Sequence, residues 1–405
     1  AGSPGTILRK AAESFSMDAS VNRIPSSKDE RALILGIRLH GSDAEDIENS
    51  LDELELLVRT AGAIVVTKQI VKRDRIDPAY IIGKGFLAEL DGIIAEHRIR
   101  LVVFDLNNIR PAQVRNLEDR LKCRVISRNE IIMDIFARRA RSAESKIQVE
   151  LAQLKYILPR LKGLGGVLSR LGGGIGTRGP GEKMLETDRR HILRRISTLN
   201  AKLKKISRHR DTLRKSRRGE LIGAVVGYTN AGKSTVINFL ARDDLFVEDR
   251  LFATLDSYTR AVYLAEGKKC LLIDTVGFIR NLPADLIESF KSTLEEIHNA
   301  DFLVHVVDMS SHDIGSNIRT VNQEIAGLGC AGKDVILFFN KADLLADEAL
   351  CNSVLNNYPG AIVGSAVSGL GMEELKGRII ELLDAGESRR HRGASASAAA
   401  RAEGA

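Results

Sequence analysis

The chain has 405 residues, 44% hydrophobic and 28% charged, a balance that suits a globular protein with two or three cores. No apolar run approaches the ~20 residues of a membrane-spanning helix, and runs such as Ala32–Ile37 and Leu271–Ile273 have strand length. Four separated cysteines (Cys123, Cys270, Cys330, Cys351) without a Cys-x-x-Cys pair argue against a disulfide framework or an ordinary zinc site, and the absence of Trp argues against a single-strand stacking platform.

Residues 1–29 mix Ser, Pro, Gly and charges without periodicity and read as a flexible lead-in. They lack the apolar stretch of a secretory signal, and Glu13, Asp18 and Asp29 do not suit an organelle transit peptide. Residues 30–140 then alternate strand and helix signals. Ala32–Leu39 predicts a strand, and Ala44–Arg59 a helix with Leu51, Leu54 and Val58 on one face. Ile64–Ile70 predicts the next strand, and Gly83-Lys84-Gly85 opens a further helix. Leu101–Phe104 is a short strand leading to Asp105, Pro111 suits the first turn of a helix, and Val125-Ile126 is a last strand. The alternation predicts a small N-terminal α/β domain on a parallel sheet. Gly-Lys-Gly alone reads as a turn that contains a lysine, not as a phosphate loop.

Residues 141–219 read as a basic helical linker. Between Arg138 and Arg218 stand 23 Lys+Arg and 6 Asp+Glu, whereas the other 324 residues carry 37 basic and 47 acidic groups. The whole basic surplus of the chain, whose net charge is +7, therefore lies in this one segment. Such a block repels itself unless a polyanion neutralises it, and nucleic acid is favoured over a merely solvated helix face. Ile147, Leu151, Leu154, Leu158 and Leu161 step at heptad spacing, and so do Ile192, Ile196, Leu199, Leu203 and Ile206. Two seams joined by the Gly-rich stretch Gly172–Glu182 predict an antiparallel helical hairpin. Pro159 predicts a kink or an early end to the first arm. Arg170, Arg178, Lys183, Arg189 and Arg190 are the candidate RNA contacts, with Arg178 and Lys183 near the tip.

Residues 220–385 carry the most specific signals. Leu221–Val226 predicts a strand, followed at once by Gly227-Tyr228-Thr229-Asn230-Ala231-Gly232-Lys233-Ser234 and a helical stretch. This is the Gly-x4-Gly-Lys-Ser/Thr phosphate loop in its strand–loop–helix setting. Backbone N–H groups of Gly227 to Gly232 would wrap the phosphates, Lys233 would reach the β and γ phosphates, and Ser234 would ligate Mg2+. Thr235 is left to the α-phosphate side. Val335–Phe339 ends in Asn340-Lys341-Ala342-Asp343, where the Asp343 carboxylate can accept two hydrogen bonds from guanine and none of that kind from adenine. Asn340 can bridge the base and the loop backbone, the Lys341 stem can lie over the ring, and the backbone of Ser365-Ala366 can donate to guanine O6. Leu271–Ile273 leads to Asp274-Thr275-Val276-Gly277, with Asp274 toward Mg2+ and the Gly277 N–H toward the γ-phosphate. Thr254, in Phe252-Ala253-Thr254-Leu255-Asp256, is the candidate switch threonine, and Thr259 is its fallback. Phe278 stands where many GTPases place a water-orienting glutamine, so slow intrinsic hydrolysis is expected. Asn230 leaves two readings open, a K+ ligand or a residue that only shapes the loop.

These motifs, with Gly172–Glu182, Leu185-Glu186-Thr187-Asp188-Arg189-Arg190 and Gln148–Leu154, resemble the HflX family of GTPases over roughly residues 30–385. The resemblance implies a small N-terminal α/β domain, a helical linker and a GTPase domain with a mostly parallel, doubly wound sheet. It implies a cytoplasmic, partly ribosome-associated factor that binds GTP and GDP, contacts the large ribosomal subunit and its rRNA, and splits stalled or idle ribosomes under stress; a monomer is expected, since nothing in the sequence suggests an obligate dimer. Hydrolysis would be stimulated by the large subunit. Catalytic duty would fall on Lys233, Thr254 and Gly277, and Mg2+ on Ser234, Thr254 and Asp274. ATP binding has been linked to the family's N-terminal part, but no phosphate-loop motif supports it here. A checkpoint in large-subunit assembly and a nucleotide-regulated RNA-binding protein are the competing functions. Some relatives carry a further C-terminal domain, whereas residues 386–405 read here as a disordered tail.

Overall fold

The computed structural model describes residues 30–41, 43–161, 180–215, 220–242, 251–345 and 348–385. The expected lead-in and tail, residues 172–179 of the Gly-rich stretch, and Arg170 and Arg178 lie outside the described residues. The chain divides into two compact units. One runs up to Ser207 and also takes Asn281–Phe290, and the other takes Arg208–Arg280 and the chain from Lys291 onward.

In the first unit, β1 (Arg31–Leu39), β2 (Ile64–Arg73), β3 (Leu101–Phe104) and β4 (Arg124–Ser127) form one sheet in the order β2-β1-β3-β4. Every pairing in it is parallel, as the alternation of strand and helix requires. The connecting helices are α1 (Ala44–Thr60), α2 (Lys84–His97) and α3 (Pro111–Leu121). Asp43 caps α1 by accepting the Glu45 N–H at 3.1 Å, and the helix buries Leu51, Leu54, Leu57 and Val58. Gly83 precedes α2, where an added Cβ would meet the Arg73 guanidinium at 2.8 Å. Gly83 is thus an N-cap packed beneath Arg73, and Lys84 and Gly85 are the first residues of the helix.

Helix α4 (Arg128–Arg139) starts directly after β4, and the Ser127 N–H donates to Glu130 Oε2 at 2.7 Å. Its first residue, Arg128, is almost wholly buried, pairs with Asp105 at 3.1 Å and also meets Glu53. Asp105 accepts a further bond from Ser50 at 2.6 Å. This buried charge cluster ties α1, the end of β3 and α4 together. Such a pair fixes geometry more than it adds stability, because desolvation offsets most of the attraction.

The linker begins with α5 (Ala143–Leu161) and continues in α6 (Pro180–Lys215). Pro159 lies inside α5, two residues before Leu161, the last described residue of this arm. The α6 seam is as expected: Ile192, Ile196, Leu199, Leu203 and Ile206 are buried or half-buried among exposed neighbours. The α5 seam is likewise buried or half-buried, with Leu151 the deepest, but Ser145, Gln148, Val149, Ala152 and Tyr156 outside it are buried too. The reason is a second neighbour, since α5 packs on α4 and on the short helix Ala284–Ser289 of the same unit. Lys155 pairs there with Glu288 at 2.7 Å, and Phe290 sets its edge on Phe136 with centroids 5.3 Å apart. The two linker arms meet where Arg195 grips Glu150 with two bonds of 2.6 and 2.9 Å.

In the second unit, β5 (Leu221–Gly227) is central to a six-stranded sheet. Its partners are β6 (Tyr258–Ala265), β7 (Lys268–Asp274), β8 (Phe302–Asp308), β9 (Asp334–Asn340) and β10 (Ile362–Val363), in the order β10-β9-β8-β5-β7-β6. Only β6 runs antiparallel to its neighbour. Helix α7 (Lys233–Ala241) covers one face and contributes Val236, Ile237 and Leu240 to a core with Leu272, Val304, Phe338 and Met372. Gly227, Asp274 and Asn340 are the last residues of β5, β7 and β9. The three motifs therefore open at the carboxyl ends of parallel strands, the ordinary place for ligands in such sheets.

Candidate active site

The phosphate loop turns between β5 and α7 on a special backbone. Asn230 has φ +63° and Gly232 φ +87°. A Cβ on Gly232 would lie 2.3 Å from Asn340 Nδ2, so only glycine leaves room for that amide. Asn340 uses the space fully. Its Nδ2 donates to the Ala231 carbonyl at 2.9 Å and its Oδ1 accepts the Ala366 N–H at 3.0 Å. The phosphate loop, the Asn-Lys-Ala-Asp motif and the Ser-Ala turn are thus joined through one buried side chain. Ser365, fully buried, shapes its turn by accepting the N–H groups of Val367 and Ser368. The Ala366 N–H, expected on guanine O6, donates here to Asn340. Lys341 has φ +67° and pairs with Asp308 at 2.7 Å, while Asp343 is exposed.

Ser234, Thr254 and Asp274 converge. Ser234 Oγ donates to Asp274 Oδ2 at 2.6 Å and lies 2.8 Å from Thr254 Oγ1. Asp274 Oδ1 is buried without a hydrogen-bond partner. Burial pushes the Asp274 carboxyl above the usual range, against the opposing pull of Ser234 and Lys233. A buried carboxylate with a free oxygen and two hydroxyls beside it is an all-oxygen set that suits Mg2+, which retains waters and phosphate oxygens for its other positions. Thr259, the fallback, sits exposed in β6, paired with Ile273, so of the two candidates it is Thr254 that lies beside Ser234.

Lys233 is 6% exposed and donates to the Gly227 and Tyr228 carbonyls at 3.3 and 3.0 Å. Burial brings its ammonium down to about 8, with Asp274 acting in the opposite direction. Gly277 approaches closely, since a Cβ there would be 2.7 Å from Thr229 Cα and 3.0 Å from Lys233 Nζ. Phe278 is buried, and its backbone pairs with the loop: its N–H donates to the Gly227 carbonyl at 3.1 Å and its carbonyl accepts the Thr229 N–H at 2.7 Å. The Arg280 N–H donates to Tyr228 Oη at 2.9 Å. One cleft therefore brings together Asn230, Gly232, Lys233, Ser234, Thr254 and Gly277. Thr235 follows Ser234 in the first turn of α7. Of the RNA candidates, Lys183, Arg189 and Arg190 belong to α6 in the first unit, with Arg190 exposed and Arg189 half-buried.

Fold and site together define a P-loop GTPase. Three family models match successive parts of the chain: "GTP-binding GTPase N-terminal" over residues 48–137, "GTP-binding GTPase Middle Region" over 139–217 and "50S ribosome-binding GTPase" over 223–341. GTPase HflX of Caldanaerobacter subterraneus subsp. tengcongensis is 50% identical over 318 residues, 78% of this chain and 73% of that protein. GTPase HflX of Escherichia coli (strain K12) is 39% identical over 358 residues, 88% of this chain and 83% of that protein. A GTP-binding protein from Sulfolobus solfataricus, solved in complex with GDP, matches 87% of this chain and 98% of its own at 22% identity, with a TM-score of 0.46. The chain belongs to the HflX family of GTPases, and it hydrolyses GTP.

Proposed function

We propose that this GTPase acts on the ribosome: it binds the large subunit through ribosomal RNA and separates stalled or idle ribosomes into subunits. The observation that carries the reading is the concentration of positive charge, 23 Lys+Arg against 6 Asp+Glu over Arg138–Arg218, in the segment matched by the family's middle region. The "50S ribosome-binding GTPase" description of the model over residues 223–341 supports it. Among the described residues no helix is long and apolar enough to cross a membrane.

In this reading the chemistry is that of positioned phosphoryl transfer to water. The loop N–H groups and Lys233 hold the β and γ phosphates, and the Gly277 N–H meets the γ-phosphate. Ser234, Thr254 and Asp274 would hold Mg2+, which when bound would supply positive charge against that developing on the phosphates. Asp343 selects guanine, while Asn340 ties the phosphate loop to the Ser365-Ala366 turn beside the base. Phe278 cannot orient the attacking water, so the missing group comes from the ribosome or from a K+ held near Asn230. Exchanging K+ for Na+ tests the second source directly: an unchanged rate removes it.

The ribosomal reading is tested by co-sedimentation with purified large subunits, with a non-hydrolysable GTP analogue, at 50 and 200 mM salt. Neutralising 6–10 phosphates predicts a loss of roughly a thousandfold or more in affinity over that range. A flat salt response would remove RNA from the account.

A further inference from the structure

The Gly-x4-Gly-Lys-Ser/Thr pattern leaves the third loop position, Thr229, unspecified, yet this residue touches both switch segments. Its Oγ1 accepts the Phe252 N–H at 2.8 Å, and this bond is buried. Its own N–H donates to the Phe278 carbonyl at 2.7 Å. Its Cα and Cβ fill the space beside Gly277, where an added Cβ would meet them at 2.7 and 3.1 Å. Thr229 itself is 6% exposed. The first bond comes from a side chain and the second from the backbone, so only the first depends on the residue being a threonine.

Phe252 shows what that first bond holds. Its ring is 2% exposed, and its backbone has φ +54°, a region that bulky residues adopt only when their surroundings impose it. Two residues further on is Thr254, whose Oγ1 lies 2.8 Å from Ser234 Oγ. The left-handed residue aims the chain so that Thr254 arrives beside Ser234 and Asp274. The acceptor that Thr229 offers sits two residues before the threonine that closes on the metal side of the site.

We infer that Thr229 is a positioning residue for GTP hydrolysis, whose hydroxyl holds Phe252, and through it Thr254, closed over Ser234 and Asp274. The γ-phosphate is what a closed switch threonine grips, and GDP lacks it. The hydroxyl therefore matters for the triphosphate state and little for the diphosphate state.

Thr229→Val keeps the shape and removes the acceptor, and Thr229→Ser keeps the acceptor. Single-turnover GTP hydrolysis by the full chain should fall about tenfold in the valine variant, the size of one well-placed buried hydrogen bond. The Mg2+ concentration for half-maximal rate should rise, and affinity for a non-hydrolysable GTP analogue should drop about tenfold, while GDP affinity stays within about twofold. Thr229→Ser should recover the rate to within about threefold. Wild-type behaviour of the valine variant would overturn the inference. So would equal damage by valine and serine, which would make the methyl the important group. An equal loss of GDP and GTP-analogue affinity would also overturn it, because it would show general damage to the phosphate loop.

Discussion

Lys233 should make the nucleotide-free protein less stable than it would be without that charge. Its ammonium is buried, and burial brings its pKa from 10.5 down to about 8. At 1.36 kcal/mol per unit, the folded state carries a penalty of about 3 kcal/mol for keeping this group charged at pH 7. Lys233→Met removes the charge and retains most of the volume. The carbonyls that Lys233 contacts keep other donors, since Gly227 O accepts the Phe278 N–H at 3.1 Å and Tyr228 O accepts the Ala231 N–H at 3.2 Å. Asp274 loses its nearest positive neighbour, which takes back part of the gain. The net expectation is a variant about 2 kcal/mol more stable at pH 7 without nucleotide. The sign with pH follows from a folded pKa below the unfolded one. Between pH 8 and 10.5 the unfolded chain binds more protons, so wild-type stability rises with pH and the advantage of the variant shrinks, by about 2 kcal/mol at pH 9.5. Denaturant unfolding followed by far-UV circular dichroism, with Mg2+ chelated, measures both. A GTP analogue at about 100 times Kd should add roughly 2.7 kcal/mol to the wild type and far less to the variant. A variant less stable at pH 7, or an advantage unchanged at pH 9.5, would refute the reasoning.

Other substitutions test separate parts of the site. Gly277→Ala places a Cβ 2.7 Å from Thr229 Cα and should reduce GTP hydrolysis at least tenfold with GDP affinity little changed; a near-normal rate would mean that this close approach is not used. Asp343→Asn should shift preference from GTP toward XTP in competition binding, and an unchanged preference would sink the assignment of base recognition. Thr254→Ala should cost hydrolysis about a hundredfold, whereas Thr259→Ala, on an exposed strand position, should stay within about twofold. Phe136→Ala opens a cavity against Phe290 and should destabilise the first unit by about 3–5 kcal/mol in thermal or denaturant unfolding.

The parts of this protein that local sequence dictates are the parts that could be read from it. The β1 and β3 strands are continuous apolar runs that parallel, doubly covered sheets require, and α1 carries its apolar stripe at helical spacing. The phosphate loop is legible because its chemistry demands glycines and a lysine at fixed positions. Thr254 could be placed ahead of Thr259 from sequence, but what separates them physically is the arrival of one beside Ser234 and the pairing of the other with Ile273. The full load on the α5 face was hidden for a related reason. Heptad positions describe one partner, but α5 also packs on α4 and on the short helix Ala284–Ser289, and Gln148 and Tyr156 are buried outside the heptad seam. One of those neighbours, Asn281–Phe290, follows the Asp274–Arg280 loop directly in sequence yet packs in the first unit. Nothing in its composition signals that placement. The bridge from Asn340 to the loop backbone was legible in its motif, whereas the duty of Thr229 was hidden, since it rests on a contact that only the folded backbone creates.

The most direct test of the account is GTP turnover by the full chain with purified large subunits, small subunits and whole idle ribosomes, read alongside subunit separation on a sucrose gradient. Strong stimulation by large subunits together with GTP-dependent splitting is the result expected of a ribosome-splitting GTPase. Stimulation without splitting would contradict that role and favour a checkpoint in subunit assembly, and no stimulation would direct the basic linker to some other RNA.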